Sequence, residues 1–194
     1  MFLKQSVIMD ELKYRMDGKR LNHVLGVKEE ALKLAEIYHY LDKEEVIFSA
    51  LLHDICKNFD NASINEYVKK YNLGHIYINN NALAHSKIGA IVAKEEFGIN
   101  NKRILDAIAF HTTGRENMSL LEKIIYLSDA TEKNRVFDGV ESIRSLSYKD
   151  LDRACLKSID RSIINILSRG EYLDMDTMRA RNSLLIKIGG KNDE

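Results

Sequence analysis

Proline is absent from this 194-residue chain and glycine occurs only 10 times. No helix is therefore forced to break at a proline, and Pro- or Gly-rich linkers are excluded. Cysteine is scarce as well. Cys56 and Cys155 lie far apart and outside any Cys-x-x-Cys pattern, which argues against a disulfide framework or a thiolate zinc knot and for two reduced core residues. No sign of charge is in excess, with 29 Lys and Arg against 29 Asp and Glu. No global field then concentrates nucleic acid or an anionic membrane, and no basic stripe with interleaved aromatics is present, so neither is expected as a partner. No apolar run approaches the roughly 18 residues of a membrane span. The segment Met1 to Asp10 lacks the apolar core and small-residue cleavage site of a leader peptide, so a cytoplasmic location is expected.

What is present is a helical pattern. Apolar residues make up 45% of the chain, enough for one domain spanning 1–194 with an ample core, and they recur at three and four spacings almost throughout. The spacing predicts an all-α bundle with helices over 6–16, 20–40, 43–57, 63–71, 82–97, 101–111, 119–133, 147–169 and 176–188. Ser119 and Glu122 form a capping-box pattern, Ser147 with Asp150 offers a similar start for the long helix, Gly98 reads as a helix stop, and 189–194 reads as a frayed tail.

Against this background His53 and Asp54 stand out. They sit side by side in Val46-Ile-Phe-Ser-Ala-Leu-Leu-His-Asp-Ile-Cys-Lys57, otherwise apolar enough for the inner face of a helix. Burying two such groups without partners costs roughly 2–7 kcal/mol for a polar group and more for a charge. A metal ion would satisfy both. Four more residues share the setting: His23, His85, His111 and Asp129, the last at i+8 from Leu121 and i+4 from Ile125. A single histidine on an apolar face is more often a hydrogen-bonded core residue, but six such positions together favour a metal site. His39, between two tyrosines near a helix end, and His75, after Gly74, fail this criterion, and Cys56 reads as packing.

Imidazole and carboxylate donors without thiolate suit iron, manganese, cobalt, nickel or zinc. One ion could take His23, His53, Asp54 and Asp129, and a second His85 and His111, with Asp54 bridging. Such a pair lowers the pKa of a bridging water and stabilises in-line displacement at phosphorus. Its residual positive charge favours a polyphosphate. Lys57 can add a phosphate contact, Thr112-Thr113-Gly114 could wrap a phosphate or nucleotide, and Arg135 could clamp one. Each of these also has an ordinary reading, as a helix exit or a solvated side chain.

Arg20-Leu-Asn-His23 with Gly26-Val27, His53-Asp54 with Lys57, His111-Thr-Thr-Gly114, the segment Met118 to Asp129 and Glu132-Lys-Asn-Arg135 together resemble the bacterial YqeK family of HD-domain phosphohydrolases, over roughly 15–185. The resemblance implies a compact HD-domain helical bundle that splits diadenosine tetraphosphate into two ADP. It also implies iron, two ions per chain on all six ligand positions. Asp54 and Lys57 would serve catalysis, and Arg20, Lys57, Thr112, Thr113, Gly114 and Arg135 would contact substrate. Members often carry proline near the positions of Glu132 and Asp138 and glycine where Ser86 stands here, differences that bear on substrate fit rather than on the ligands. The ligand pattern alone leaves other substrates open: a nucleoside monophosphate, a triphosphate or a cyclic dinucleotide. A non-catalytic nucleotide sensor and a homodimer also stay open.

Overall fold

A computed structural model describes residues 5–189, and among them it contains ten α-helices, a three-residue 3-10 helix at His75–Tyr77 and no strand. In chain order the helices are α1 (Gln5–Arg15), α2 (Gly18–Ile37), α3 (Lys43–Leu52), α4 (Asn61–Lys70), α5 (Asn81–Glu95), α6 (Lys102–Ala109), α7 (Leu120–Thr131), α8 (Val140–Ser147), α9 (Leu151–Ser168) and α10 (Met175–Gly189). The all-α expectation holds. Of the proposed tail only Gly189, the last residue of α10, lies within the described residues.

With no proline to mark the first turn, seven of the helix starts are set by side-chain acceptors. Asp17, Asp42, Asp60, Asn80, Asn101, Ser119 and Asp150 each accept a backbone N–H from the opening turn of the helix that follows. Each such cap is worth about 0.5–2 kcal/mol. The Ser119 cap is reciprocal, since Glu122 also accepts the Ser119 N–H at 2.8 Å, so the expected capping box is present. Gly98, at φ +64°, ends the turn after α5 as expected.

Two expectations fail here. The helix over 140–147 was not anticipated, and Ser147 ends it rather than capping α9: its hydroxyl donates to the Arg144 carbonyl at 2.7 Å. Asp150 is the true cap, accepting the Arg153 N–H at 3.0 Å, so the long helix starts at Leu151 and not at 147. The α3 helix also stops earlier than expected. After Leu52 the chain tightens into i to i+3 turns, with Ile55 N–H on the Leu52 carbonyl, Lys57 N–H on Asp54 and Phe59 N–H on Cys56.

The apolar stripes close into two adjoining clusters. One gathers Ile8, Leu12, Val24, Leu51, Leu52, Ile64, Ile88 and Ile108; the other gathers Val27, Leu34, Val46, Ile124, Ile125, Ile143, Cys155 and Leu184. Full burial of each such side chain contributes roughly 1.5–3 kcal/mol. Helices α2, α3 and α6 supply residues to both clusters, as Val24 and Val27 do from α2. The proposed ligands stand along this shared seam, anchored on both sides. Cys56 and Cys155 are fully buried, as their sequence setting suggests, and burial pushes both thiols above their usual range.

Candidate metal centre

Five chain segments bring the six residues together. His23 projects from α2, His53 and Asp54 from the turn closing α3, His85 from α5, His111 from the turn after α6, and Asp129 from α7. All except the half-buried Asp129 are buried. His39 and His75 are exposed, as expected.

Each histidine is oriented by a bond at Nδ1. His53 Nδ1 reaches the Ala50 carbonyl at 2.7 Å, His85 the Asn81 carbonyl at 2.8 Å and His111 the Ile108 carbonyl at 2.8 Å, while His23 Nδ1 reaches Glu132 Oε1 at 3.2 Å. An acceptor at Nδ1 puts the ring proton there and leaves the Nε2 lone pair free as a ligand. All four Nε2 atoms converge on the two carboxylates. His23 Nε2 lies 3.0 Å from Asp129 Oδ1. Asp54 divides its oxygens: Oδ2 is 3.6 Å from His53 Nε2 and 3.8 Å from His23 Nε2, and Oδ1 is 3.3 Å from His85 Nε2 and 3.6 Å from His111 Nε2.

These separations fit metal ligation. Two donors about 2.1 Å from one ion lie about 3.0 Å apart at right angles and about 4.2 Å apart when opposed. The observed values run from 3.0 Å to the 4.0 Å between His53 Nε2 and Asp129 Oδ1, and His85 and His111 hold their Nε2 atoms 3.1 Å apart. The buried His53 Nε2 has no hydrogen-bond partner among the described residues, a costly arrangement for a polar atom unless an ion takes its lone pair.

Electrostatics keep His53, His85 and the two carboxylates in ligating form. Burial pushes His53 down to about 4, with His111 and His23 adding to the effect against the opposing pull of Asp54 and Asp129. Burial, Lys57 and His111 lower His85. Burial alone would raise the two carboxyls, yet both sit well below the usual carboxylate range. His53, His111 and His85 hold Asp54 there, and His23, Arg135 and His53 hold Asp129 there. Neutral imidazoles facing ionised carboxylates are the forms that bind a divalent ion.

Cations ring the ligands. Arg20 Nη1 donates to Asp54 Oδ2 at 2.6 Å, and Arg135 reaches Asp129 twice, Nη2 to Oδ1 at 2.5 Å and Nε to the carbonyl at 2.8 Å. Lys57 Nζ stands 3.3 Å from His85 Nε2, and the Thr112 hydroxyl lies 3.2 Å from the same nitrogen. A cavity of about 210 Å³ opens onto Asp54, His85, His111, Asp129, Lys57 and Thr112. Arg20 and Arg135 line both it and a neighbouring groove of about 710 Å³ that contains Asp17, Lys19, Asn22 and Asn134.

Two of the expected substrate contacts, Thr113 and Gly114, have places in the turn itself. Thr113 is buried and donates its hydroxyl to the Gly114 carbonyl at 2.8 Å, away from the cavity. Gly114 serves the turn: its φ is +66°, and a Cβ there would meet the Ala180 Cβ at 3.0 Å and the Met118 sulfur at 3.1 Å. Conversely, Tyr126, Ser158 and Ser162 line the cavity without having been anticipated, and Glu132 supports His23. Glu132 belongs to the Glu132-Lys-Asn-Arg135 segment, whose spacing assigns it no partner on α2.

Nitrogen and oxygen donors in this number, beside a cation-rimmed cavity, define a metal-dependent hydrolase. The chain belongs to the HD domain family, whose pattern matches residues 20–134. It is 37% identical over 177 residues to the symmetrical bis(5'-nucleosyl)-tetraphosphatase of Halalkalibacterium halodurans, covering 91% of this chain and 94% of that protein. It is 32% identical over 175 residues to the Bacillus subtilis protein of the same name, covering 90% and 94% respectively. A crystal structure from Clostridium acetobutylicum, described as a predicted HD superfamily hydrolase involved in NAD metabolism, superposes with a TM-score of 0.91 at 39% identity over 96% of this chain and all of that one. No helix among the described residues is long and apolar enough to cross a membrane.

Proposed function

We propose that this chain hydrolyses diadenosine tetraphosphate symmetrically. Water adds to one of the two central phosphorus atoms, the P–O bond joining the central phosphates breaks, and two ADP leave. The observation that carries the reading is the divided Asp54 carboxylate, one oxygen 3.6 Å from His53 and the other 3.3 Å from His85. The relatives from H. halodurans and B. subtilis, named for this activity, support it.

His23, His53, Asp54 and Asp129 would hold one ion and Asp54, His85 and His111 the other, with iron the preferred metal and manganese, cobalt, nickel or zinc compatible with the same donors. When bound, such a pair supplies a water of lowered pKa and positive charge against the reacting phosphate. The protein supplies the rest. Arg20 and Arg135 stand where the small cavity meets the larger groove, so a polyphosphate crossing between the two is gripped by two guanidinium forks. Lys57 and Thr112 offer an ammonium and a hydroxyl on the His85 side, where three protein donors, against four on the His23 side, would hold the ion. Asp54, held ionised by its histidine neighbours, would offer one oxygen to each ion.

The test is a comparison of kcat/KM for diadenosine tetraphosphate with values for a nucleoside monophosphate, a nucleoside triphosphate and a cyclic dinucleotide. Preference for the dinucleoside tetraphosphate is expected. A higher value for any of the others would transfer the reading to that substrate, and stoichiometric binding without product would make the protein a sensor. A homodimer belongs to the same reading, supported by exposed Ile164, Leu167, Tyr172 and Met175 at the junction of α9 and α10. A monomer mass by light scattering would remove it.

A further inference from the structure

Three of the four histidines rest Nδ1 on a backbone carbonyl of their own helix turn, whereas His23 rests it on a side-chain carboxylate, Glu132 Oε1, across 109 positions of sequence. We propose that Glu132 is a positioning residue that fixes the His23 tautomer and makes the His23 side of the centre the tighter metal position, a role that rests on the two-ion reading. An ionised acceptor polarises the imidazole more strongly than an amide carbonyl does and raises the basicity of the opposite nitrogen.

The surroundings hold Glu132 to this task. It is buried and takes two N–H donors, His23 Nδ1 on Oε1 at 3.2 Å and the Asn134 backbone on Oε2 at 2.7 Å. Arg144, from the unanticipated helix α8, donates to the carbonyls of Thr131 at 2.7 Å and Glu132 at 3.0 Å, fixing the chain at the end of α7. Gly26 makes room on α2: a Cβ there would stand 2.5 Å from Glu132 Oε2.

Two donors meeting one carboxylate cannot both be satisfied by the isosteric amide. In Glu132→Gln the amide oxygen serves one donor and the NH2 group faces the other. When the NH2 group faces His23, the ring must carry its proton on Nε2, the nitrogen aimed at Asp129, and that nitrogen can no longer ligate.

The experiment titrates metal-stripped wild-type, Glu132→Gln and Gly26→Ala protein with Co²⁺ under anaerobic conditions, following the visible absorption of the bound ion. ¹⁵N NMR of the metal-free proteins reads the His23 tautomer. The wild type is expected to bind two ions unequally and to show the Nδ1–H form. Both variants should weaken the tighter step by about 10–100-fold and leave the weaker step unchanged, and Glu132→Gln should shift His23 toward the Nε2–H form. Unchanged titration of both variants beside a two-ion wild type would overturn the role of Glu132 alone. Absence of any bound ion in the wild type would overturn the two-ion reading with it. Should Glu132→Gln fail to fold, the wild-type tautomer and the Gly26→Ala titration still decide, and an Nε2–H form in the wild type would contradict the assignment.

Discussion

Asp54 Oδ1 lies 3.3 Å from His85 Nε2, on the opposite side of the carboxylate from the oxygen that faces His23 and His53. One side chain thus joins two groups of donors, His23 and His53 on one oxygen and His85 and His111 on the other. In Asp54→Asn, one side of the group becomes an NH2 donor that cannot ligate. About one ion per chain should then remain, with kcat falling on the order of 10³-fold as the second ion's share of the barrier is lost. Metal analysis beside steady-state kinetics checks this, and two ions with undiminished turnover would remove the bridging role.

Arg135 contacts Asp129 through both its side-chain fork and the Asp129 carbonyl. In Arg135→Ala the phosphate grip weakens, and KM should rise roughly 10- to 100-fold for the loss of one charged hydrogen-bonding group. Arg135→Lys should recover only part of this, since an ammonium lacks the planar fork. A change confined to kcat would instead tie Arg135 to Asp129 alone.

Thr112 and Thr113 are adjacent but face opposite ways, toward His85 and toward the Gly114 carbonyl. Thr112→Val should raise KM with little change in stability, and Thr113→Val should lower stability by about 1 kcal/mol with KM unchanged. Gly114→Ala should cost about 1–3 kcal/mol because the left-handed turn is strained for a residue with a Cβ. Thermal unfolding and KM, measured together on the three variants, separate the roles.

Burial moves His53 from 6.5 down to about 4, so between those values the unfolded chain binds more protons than the folded one. The contribution of neutral His53 to stability is therefore complete above about pH 6.5 and is lost as pH falls toward 4. The Tm of metal-stripped protein should decline across that window, and His53→Gln should flatten the decline. Equal slopes in the two proteins would show that other groups dominate.

The six candidate ligands could be read from the sequence because each is a polar residue where an apolar helix stripe leaves no water to satisfy it. Among the described residues the helices other than α8 were legible from the spacing of their apolar stripes. That helix is short and opens at Gly139 without a side-chain cap, while Ser147 imitates a cap for its successor. The competition between Ser147 and Asp150 is settled locally, where the Ser147 hydroxyl turns back to the Arg144 carbonyl of its own helix. Likewise, Thr-Thr-Gly identifies a turn but carries no record of which hydroxyl faces the cavity. Glu132 and His23 meet only through packing of α7 against α2, a pairing that helical periodicity within either segment cannot express.

The most direct measurement is product analysis after metal-loaded protein, purified without oxygen, meets diadenosine tetraphosphate. ADP as the sole product, formed at two per substrate consumed, is the predicted result; AMP together with ATP would contradict symmetrical cleavage.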